Sequence, residues 1–161
     1  MPYRRDKKTI GLWLLTVAVA VLVWLLPRIP QPLQYHQFAD RHTCFGITGC
    51  FDTATNALFV LAGLAGLRFL FSKVGRSIFI DLREAVPYRL FFLAAILVGL
   101  GSGYYYLAPD NSRLVWDRAA MSLALMSWLA AILCERVSLT AGLRLLPLLF
   151  ATLMQSALAA D

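Results

Sequence analysis

The sequence has 161 residues, of which 60% are hydrophobic and only 15% are charged, and its mean hydropathy is +0.68. These values lie outside the range of ordinary soluble domains, so we expect one integral membrane domain over residues 1–161. The net charge of +6 does not by itself indicate nucleic-acid binding. Basic residues retained in cytoplasmic loops give the same excess, and we expect no nucleic-acid partner.

Five apolar runs are candidates to cross about 30 Å of hydrocarbon, and the last is the shortest. The period-2 alternation of a barrel strand is absent, so each run predicts a helix. The predicted fold class is all-α, a polytopic transmembrane helix bundle with an external loop over residues 28–53. The predicted helices cover about residues 10–27, 54–72, 90–107, 115–134 and 145–159.

Basic residues predict the orientation of these helices. Four lie on the side opposite the N-terminus, namely Arg28, Arg41, Arg113 and Arg118. Ten lie on the side of the N-terminus, namely Arg4, Arg5, Lys7, Lys8, Lys73, Arg76, Arg83, Arg89, Arg136 and Arg144. The positive-inside rule therefore predicts a cytoplasmic N-terminus, and five spans would leave the C-terminus outside. The first run has no small-residue cleavage site, so we interpret it as an uncleaved anchor.

Two further features concern packing and the connections. Small residues at Ala62 and Gly66, and at Gly99 and Gly103, predict close helix contacts. The connection between the second and third predicted helices predicts a short interfacial helix over IFIDLREAV, ended by Pro87.

The cysteines are compatible with the predicted topology. Cys44 and Cys50 fall in the external loop, where an oxidising compartment permits a disulfide, whereas Cys134 lies near the cytoplasmic end of the fourth predicted helix. The alternative for the external pair is two unpaired small side chains at the interface. The sequence leaves both interpretations open.

The stretch GSGYYYLAPDNSRLVWDR joins the third and fourth predicted helices on the external side. Ser102 and Tyr106 are four residues apart and share a helix face, and Asp117 enters from the next helix. Such convergence of polar groups is typical of a binding or catalytic site. Two alternatives stay open: the tyrosines at 104–106 form an interfacial aromatic belt, and Asp117 with Arg118 is a charge pair at the headgroup level.

The motifs YHQFAD, TATNALFVLAGLAGL and GLGSGYYYLAPDNSRLVWDRAAM resemble bacterial members of the alkaline ceramidase family. The resemblance covers most of the chain from Tyr35 to about Leu146. It implies the first part of a seven-helix fold, a bacterial inner membrane, and zinc-dependent hydrolysis of the amide bond of ceramide-type lipids. By this resemblance, the catalytic residues are Ser102 and Asp117, and the substrate-binding residues are Tyr105, Tyr106 and Trp116.

The metal sites of the family are altered in this sequence. Tyr106 stands where the first zinc histidine is expected, and no His-x-x-x-His follows, because His36 and His42 are the only histidines. The sequence ends at Asp161, where family members continue for further helices. The zinc site is therefore expected to be degenerate, since a catalytic zinc needs about three protein ligands.

The external loop offers other candidate metal ligands. His36 and His42 are six residues apart with Asp40 between them, a spacing that binds metal only if the loop folds back. The alternative is a solvated or hydrogen-bonded role for both histidines. For a family calcium site, Asp40 matches one expected acid, but Gly49 stands where the animal enzymes have a glutamate.

Three functional hypotheses follow from these observations. The first is a ceramidase-like hydrolase by descent, whose chain is truncated or degenerate. The second is a non-catalytic membrane protein that binds a ceramide-like lipid at the external polar site. The third is a structural subunit that packs against the helices of a partner chain.

Overall fold

The structure, a computed structural model, describes residues 7–25, 32–37 and 42–158. These residues form an α-helical bundle, which confirms the predicted all-α fold class. The helices are α1 (Lys7–Leu25), α2 (Cys50–Phe71), the short α3 (Lys73–Ser77), α4 (Ala85–Leu107), α5 (Asn111–Arg136) and α6 (Leu139–Leu158). Two 3-10 turns cover Leu33–His36 and Leu82–Glu84, and a small hairpin pairs β1 (Thr43–Cys44) with β2 (Ile47–Thr48).

Three of the described helical segments are long and apolar enough to span a membrane. These are Cys50–Phe71, Leu82–Leu107 and Asn111–Arg136, with mean hydropathies of 1.6, 1.7 and 1.4. The other two predicted spans are also helical, but their apolar parts, Ile10–Leu25 and Leu139–Ala151, are shorter. All five long helices of the prediction therefore exist, and three of them have the dimensions of a membrane span.

The connection between α2 and α4 differs from the prediction. No separate interfacial helix covers IFIDLREAV. Asp81 instead caps the 3-10 turn Leu82–Glu84 by accepting a hydrogen bond from the Arg83 amide at 2.9 Å, and the last two residues of the stretch already belong to α4. Pro87 does not end a helix but lies in the first turn of α4, where its missing N–H has no helical partner to lose. Side-chain hydrogen bonds from Arg83 also lower the pKa of Asp81, which is exposed at this connection.

The long helices pack in succession, α2 on α4, α4 on α5 and α5 on α6, while α1 contacts α6. The three residues that connect α4 to α5 make these two helices antiparallel neighbours. As a result, the first residue of α2, the last of α4 and the first of α5 lie at one end of the bundle. We call this end the site end.

Glycines allow α2 and α4 to approach each other closely. A Cβ atom on Gly66 would lie 2.2 Å from the ring of Phe92, and one on Gly99 would lie 2.6 Å from the backbone oxygen of Asn56. Real Cβ atoms do not come this close to other atoms, so the two helices pack at this distance only because both positions lack a side chain.

The other two predicted small-residue positions do not take part in this contact. Ala62 is exposed, and its neighbour Gly63 instead faces α4. A Cβ on Gly103 would meet nothing within 4 Å. The spacing of small residues therefore identified the two helices that meet, but only Gly66 and Gly99 of the four predicted positions lie in the contact. Spacing alone does not determine which face of a helix is in contact.

The hairpin before α2 contains a disulfide between Cys44 and Cys50, whose Cα atoms are 5.7 Å apart. The sequence left open whether these two cysteines are joined or unpaired, and in the structure they form a disulfide. Cys134 is a free thiol.

Candidate functional site

The predicted polar residues lie at the site end because of how α4 ends and α5 begins. Ala108 has an extended φ of −157° and ends α4. Asp110 then caps α5, where its side chain accepts a hydrogen bond from the Arg113 amide at 2.7 Å. The short turn between them places the last two turns of α4 beside the first two turns of α5.

Ser102 and Asp117 are in direct contact across this helix pair. The Ser102 hydroxyl donates a hydrogen bond to the carboxylate of Asp117. Ser102 is buried and Asp117 is partly buried. Gly101 permits the approach, since a Cβ at this position would lie 3.1 Å from the backbone oxygen of Trp116. The two residues predicted to be catalytic therefore form one unit, in which the hydroxyl offsets part of the cost of burying a carboxylate.

His36 also lies at the site end, although the sequence indicated only a metal ligand or a loop residue at this position. We call Ser102, Asp117 and the hydrogen-bonded group of His36, Tyr105 and Asn111 the polar cluster. Its Nδ1 lies 2.8 Å from the hydroxyl oxygen of Tyr105, and its Nε2 lies 2.9 Å from Oδ1 of Asn111. The Asn111 oxygen can only accept, so Nε2 donates to it, and in a neutral ring Nδ1 then accepts from the Tyr105 hydroxyl. Of the roles considered for His36, metal ligand or solvated or hydrogen-bonded loop residue, the structure shows a hydrogen-bonded side chain.

The three tyrosines divide between the two roles that the sequence left open. Tyr105 is buried, with 2% of its surface exposed, and its ring packs against that of Tyr106 with centroids 5.6 Å apart. Tyr104 is 47% exposed, and the guanidinium of Arg113 lies 4.5 Å from its ring centroid. One turn of helix points successive side chains in different directions. Tyr104 therefore fits the belt interpretation, whereas Tyr105 and Tyr106 face the cluster.

The first turns of α2 also lie at the site end and contribute polar side chains there. Asn56 is buried and its side-chain amide donates to the backbone oxygen of Asp52 at 2.8 Å. Asp52 lies in the first turn of α2. In the described part of the chain, the buried hydroxyl of Thr53 has no hydrogen-bond partner.

Charge at the site end is partly balanced by Arg118, which follows Asp117 on α5. Its guanidinium lies 5.5 Å from the ring centroid of Tyr35, within the range of a cation–π contact. In the described part of the chain, Asp117 also accepts a hydrogen bond from Ser102, and Arg118 also packs over an aromatic ring. The alternative of a headgroup charge pair stays open.

Trp116 does not join the other predicted substrate-binding residues. It is 66% exposed and lines an apolar groove of about 440 Å³ formed by residues of α4, α5 and α6. Tyr104, Leu100 and Leu123 line the same groove. Tyr105 and Tyr106 therefore share the polar cluster, and Trp116 has the position of an interfacial or lipid-facing side chain.

The described residues do not fit the family's zinc site. No group of three or more His, Cys, Asp and Glu side chains within residues 7–25, 32–37 and 42–158 is arranged to hold a metal ion. The His42 ring packs against Phe51 with centroids 5.1 Å apart. Gly49, at the calcium position, caps α2 with a φ of 67°, and Asp40 lies outside the described residues.

Comparison with known proteins gives no relative: no family model, no curated protein and no solved structure matches this chain.

Proposed function

We propose that this chain is an integral membrane protein whose site end binds the polar group of a ceramide-type lipid amide without zinc-dependent hydrolysis. The observation that supports this proposal is the partly buried Ser102–Asp117 hydrogen bond, at the same end of α4 and α5 as the network of His36, Tyr105 and Asn111. The resemblance of the surrounding motifs to alkaline ceramidases supplies the lipid class.

The chemistry of the cluster suits an amide with neighbouring hydroxyl groups. Such a head group carries N–H and O–H donors together with a carbonyl acceptor. Asp117 can accept from the donors, and the Ser102 hydroxyl can turn to donate to the carbonyl. Because these groups already hydrogen-bond each other, the ligand exchanges one set of hydrogen bonds for another, and no charge is left unpaired.

The depth of the cluster also suits a lipid head group. Ser102 and Asp117 lie near the ends of two helices that have the dimensions of a membrane span. The polar group of a bound lipid would therefore remain near the headgroup level while its tails follow the apolar helix surface. Under the positive-inside rule this level is the external side of the membrane, and the resemblance implies a bacterial inner membrane.

Binding is favoured over hydrolysis because the ligands for a catalytic zinc are not assembled among the described residues. Tyr106 replaces the first expected histidine, and neutral phenol is a poor substitute for imidazole as a zinc ligand. Without zinc, the cluster has no group positioned to generate a nucleophilic hydroxide at neutral pH.

The proposal is tested by measuring binding of a short-chain fluorescent ceramide to the purified protein in phosphatidylcholine nanodiscs. Asp117→Asn removes a charged hydrogen-bond acceptor, worth about 1.5 to 3 kcal/mol, so binding should weaken roughly tenfold or more. Tyr105→Phe should also weaken binding, because it removes the hydroxyl that contacts His36.

Tyr104→Phe is the matched control for these variants. It deletes the same hydroxyl from the adjacent position of α4 but retains the ring over which Arg113 packs. Equal binding by the unmodified protein, Asp117→Asn and Tyr105→Phe would exclude the cluster as the binding site. Absence of ceramide binding by the unmodified protein would refute the proposed function itself.

The hydrolytic alternative is tested on the same preparations by zinc analysis and by release of free fatty acid. A Tyr106→His variant restores the ligand type expected from the resemblance. Stoichiometric zinc with fatty-acid release from the unmodified chain would replace the binding proposal by a hydrolase. Zinc bound only by Tyr106→His would instead identify a site that lost its metal through this substitution.

A structural subunit is the remaining alternative, and one observation favours it. An apolar groove of about 350 Å³ lies between α1 and the α5–α6 pair, lined by Leu12, Val19, Met126 and Leu149 among others. A partner helix could fill it. Under this alternative, mild-detergent purification would recover the chain in a defined complex, and ceramide would not bind to the chain alone.

A further inference from the structure

The hairpin before α2 has an unusual residue at its tip. Phe45 and Gly46 form the two-residue turn between β1 and β2, and their φ values are +51° and +81°. Positive φ at both central residues is the requirement of a type I′ turn, for which Asn, Asp and Gly are preferred. Phe45 is the only non-glycine residue with positive φ in the described part of the chain.

No contact within the described protein explains why a bulky residue occupies this position. The side chain of Phe45 is fully exposed, with a relative accessibility of 106%. A large side chain in the left-handed region is disfavoured by steric contact between Cβ and the backbone. A strained and exposed aromatic residue points to an interaction with something outside the chain.

The hairpin holds Phe45 at a fixed position relative to α2. The amides of Gly49 and Cys50 donate to the backbone oxygen of His42 at 2.8 and 3.3 Å. The disulfide joins Cys44 to Cys50, the first residue of α2. The tip is therefore attached to the helix end by hydrogen bonds and by a covalent bond, and it cannot move far from that end.

The position of α2 in a bilayer determines what surrounds this tip. Its 22 residues give a helix about 33 Å long, close to the thickness of the hydrocarbon core. When α2 spans the membrane, the hairpin therefore lies at the headgroup level. Residues 42–51 contain no Asp, Glu, Lys or Arg, so no charge opposes partial insertion.

The exposed surface of the hairpin is apolar and continues onto α2. Ile47 is 37% exposed and Phe51, in the first turn of α2, is 57% exposed. Leu58, two turns further along the helix, is also exposed. We infer that the disulfide-bonded hairpin is a membrane anchor, whose Phe45 side chain inserts between lipid molecules at the boundary of headgroups and acyl chains.

Aromatic side chains favour this boundary, and burial of the ring there offsets the strain of the turn. The anchor would fix the depth of the N-terminus of α2, and with it the depth of Asp52 and Asn56 at the site end. This inference depends on membrane insertion of α2 and not on ceramide binding, so the two proposals can fail separately.

The inference is tested by photo-crosslinking in phosphatidylcholine vesicles. A benzoylphenylalanine introduced at position 45 should give covalent phosphatidylcholine adducts, detected by mass spectrometry of the purified protein. The control is the same residue at position 34, because Gln34 is also exposed near the site end but lies in the polar 3-10 turn. Lipid adducts at position 45 and their absence at position 34 are the expected result. Adducts to a second copy of the chain, or no adduct at position 45, would overturn the inference.

A second measurement uses variants that keep the turn intact. Phe45→Asn should fold and retain the disulfide, because Asn tolerates positive φ at this turn position. In vesicles, amide hydrogen exchange over residues 42–51 should be faster in Phe45→Asn than in the unmodified protein. Phe45→Leu retains an apolar side chain and should exchange at nearly the original rate. Unchanged exchange in Phe45→Asn would show that the side chain anchors nothing.

Discussion

Replacement of Gly99 by alanine should destabilise the bundle, whereas the same replacement at Gly103, four residues along the same helix, should not. The added methyl at Gly99 would lie 2.6 Å from the backbone oxygen of Asn56 and 2.6 Å from Cγ2 of Val60. Ordinary contact begins near 3.4 Å, so α4 must move away from α2 by about 0.8 Å or distort locally. Overpacking of this kind costs about 1 to 3 kcal/mol.

At Gly103 the added methyl meets open space, since nothing lies within 4 Å of the position that its Cβ would occupy. The only remaining effect is helix propensity, which favours alanine over glycine by up to about 1 kcal/mol. The two alanine variants should therefore change the free energy of unfolding in opposite directions. Reversible unfolding by sodium dodecyl sulfate in mixed micelles, followed by circular dichroism, measures both values.

Equal stability of Gly99→Ala and Gly103→Ala would refute the close α2–α4 packing on which the position of the site depends. Gly99 lies one turn before Ser102, so its substitution should also weaken ceramide binding. Gly103→Ala should leave binding unchanged. A loss of binding in both variants would mean that α4 tolerates no change near its end for reasons other than contact with α2.

Three further outcomes are expected. Ser102→Ala should lower the free energy of unfolding by about 1 to 3 kcal/mol, because the partly buried carboxylate of Asp117 loses its donor; a double-mutant cycle with Asp117→Asn that shows strict additivity would contradict direct coupling. His36→Ala should accelerate amide hydrogen exchange over Leu33–His36 but not in the middle of α5, and unchanged exchange would mean that this histidine does not hold the turn. Asp110→Ala should destabilise α5 by about 1 kcal/mol in thermal unfolding, while Asp110→Asn should retain most of the cap; equal losses would argue against capping.

The sequence predicted the number and order of the long helices, but several predicted helices begin later in the chain than the observed ones. The structure begins α4 at Ala85 and α5 at Asn111, whereas the predicted spans began at 90 and 115. Hydropathy detects only the apolar part of a helix. The helices continue through polar first turns that hydropathy does not detect. Asp110 caps the first turn of α5, and the first turn of α4 accommodates Pro87.

The candidate site was predicted in part. Ser102 and Asp117 lie on consecutive helices joined by a short turn, so topology alone brings them to the same end, and helical spacing selects their faces. His36 is separated from its partners by 69 and 75 residues, a stretch that includes the β1–β2 hairpin and the whole of α2. No local periodicity records such a contact. Trp116 lies apart from Tyr105 and Tyr106, in an apolar groove, because neighbours in sequence point to different sides of a helix.

The arrangement of the polar cluster also implies an order of assembly. The Ser102–Asp117 contact closes a loop of 15 residues, and Tyr105 and Asn111 belong to the same helical hairpin. The contacts of His36 with Tyr105 and Asn111 close much longer loops, which costs more chain entropy. We therefore expect these two contacts to form after the α4–α5 hairpin has brought Tyr105 and Asn111 together. The α4–α5 hairpin can therefore insert while the partly buried carboxylate of Asp117 already accepts a hydrogen bond from Ser102. Docking of His36 onto the α4–α5 hairpin is therefore expected to follow the formation of that hairpin.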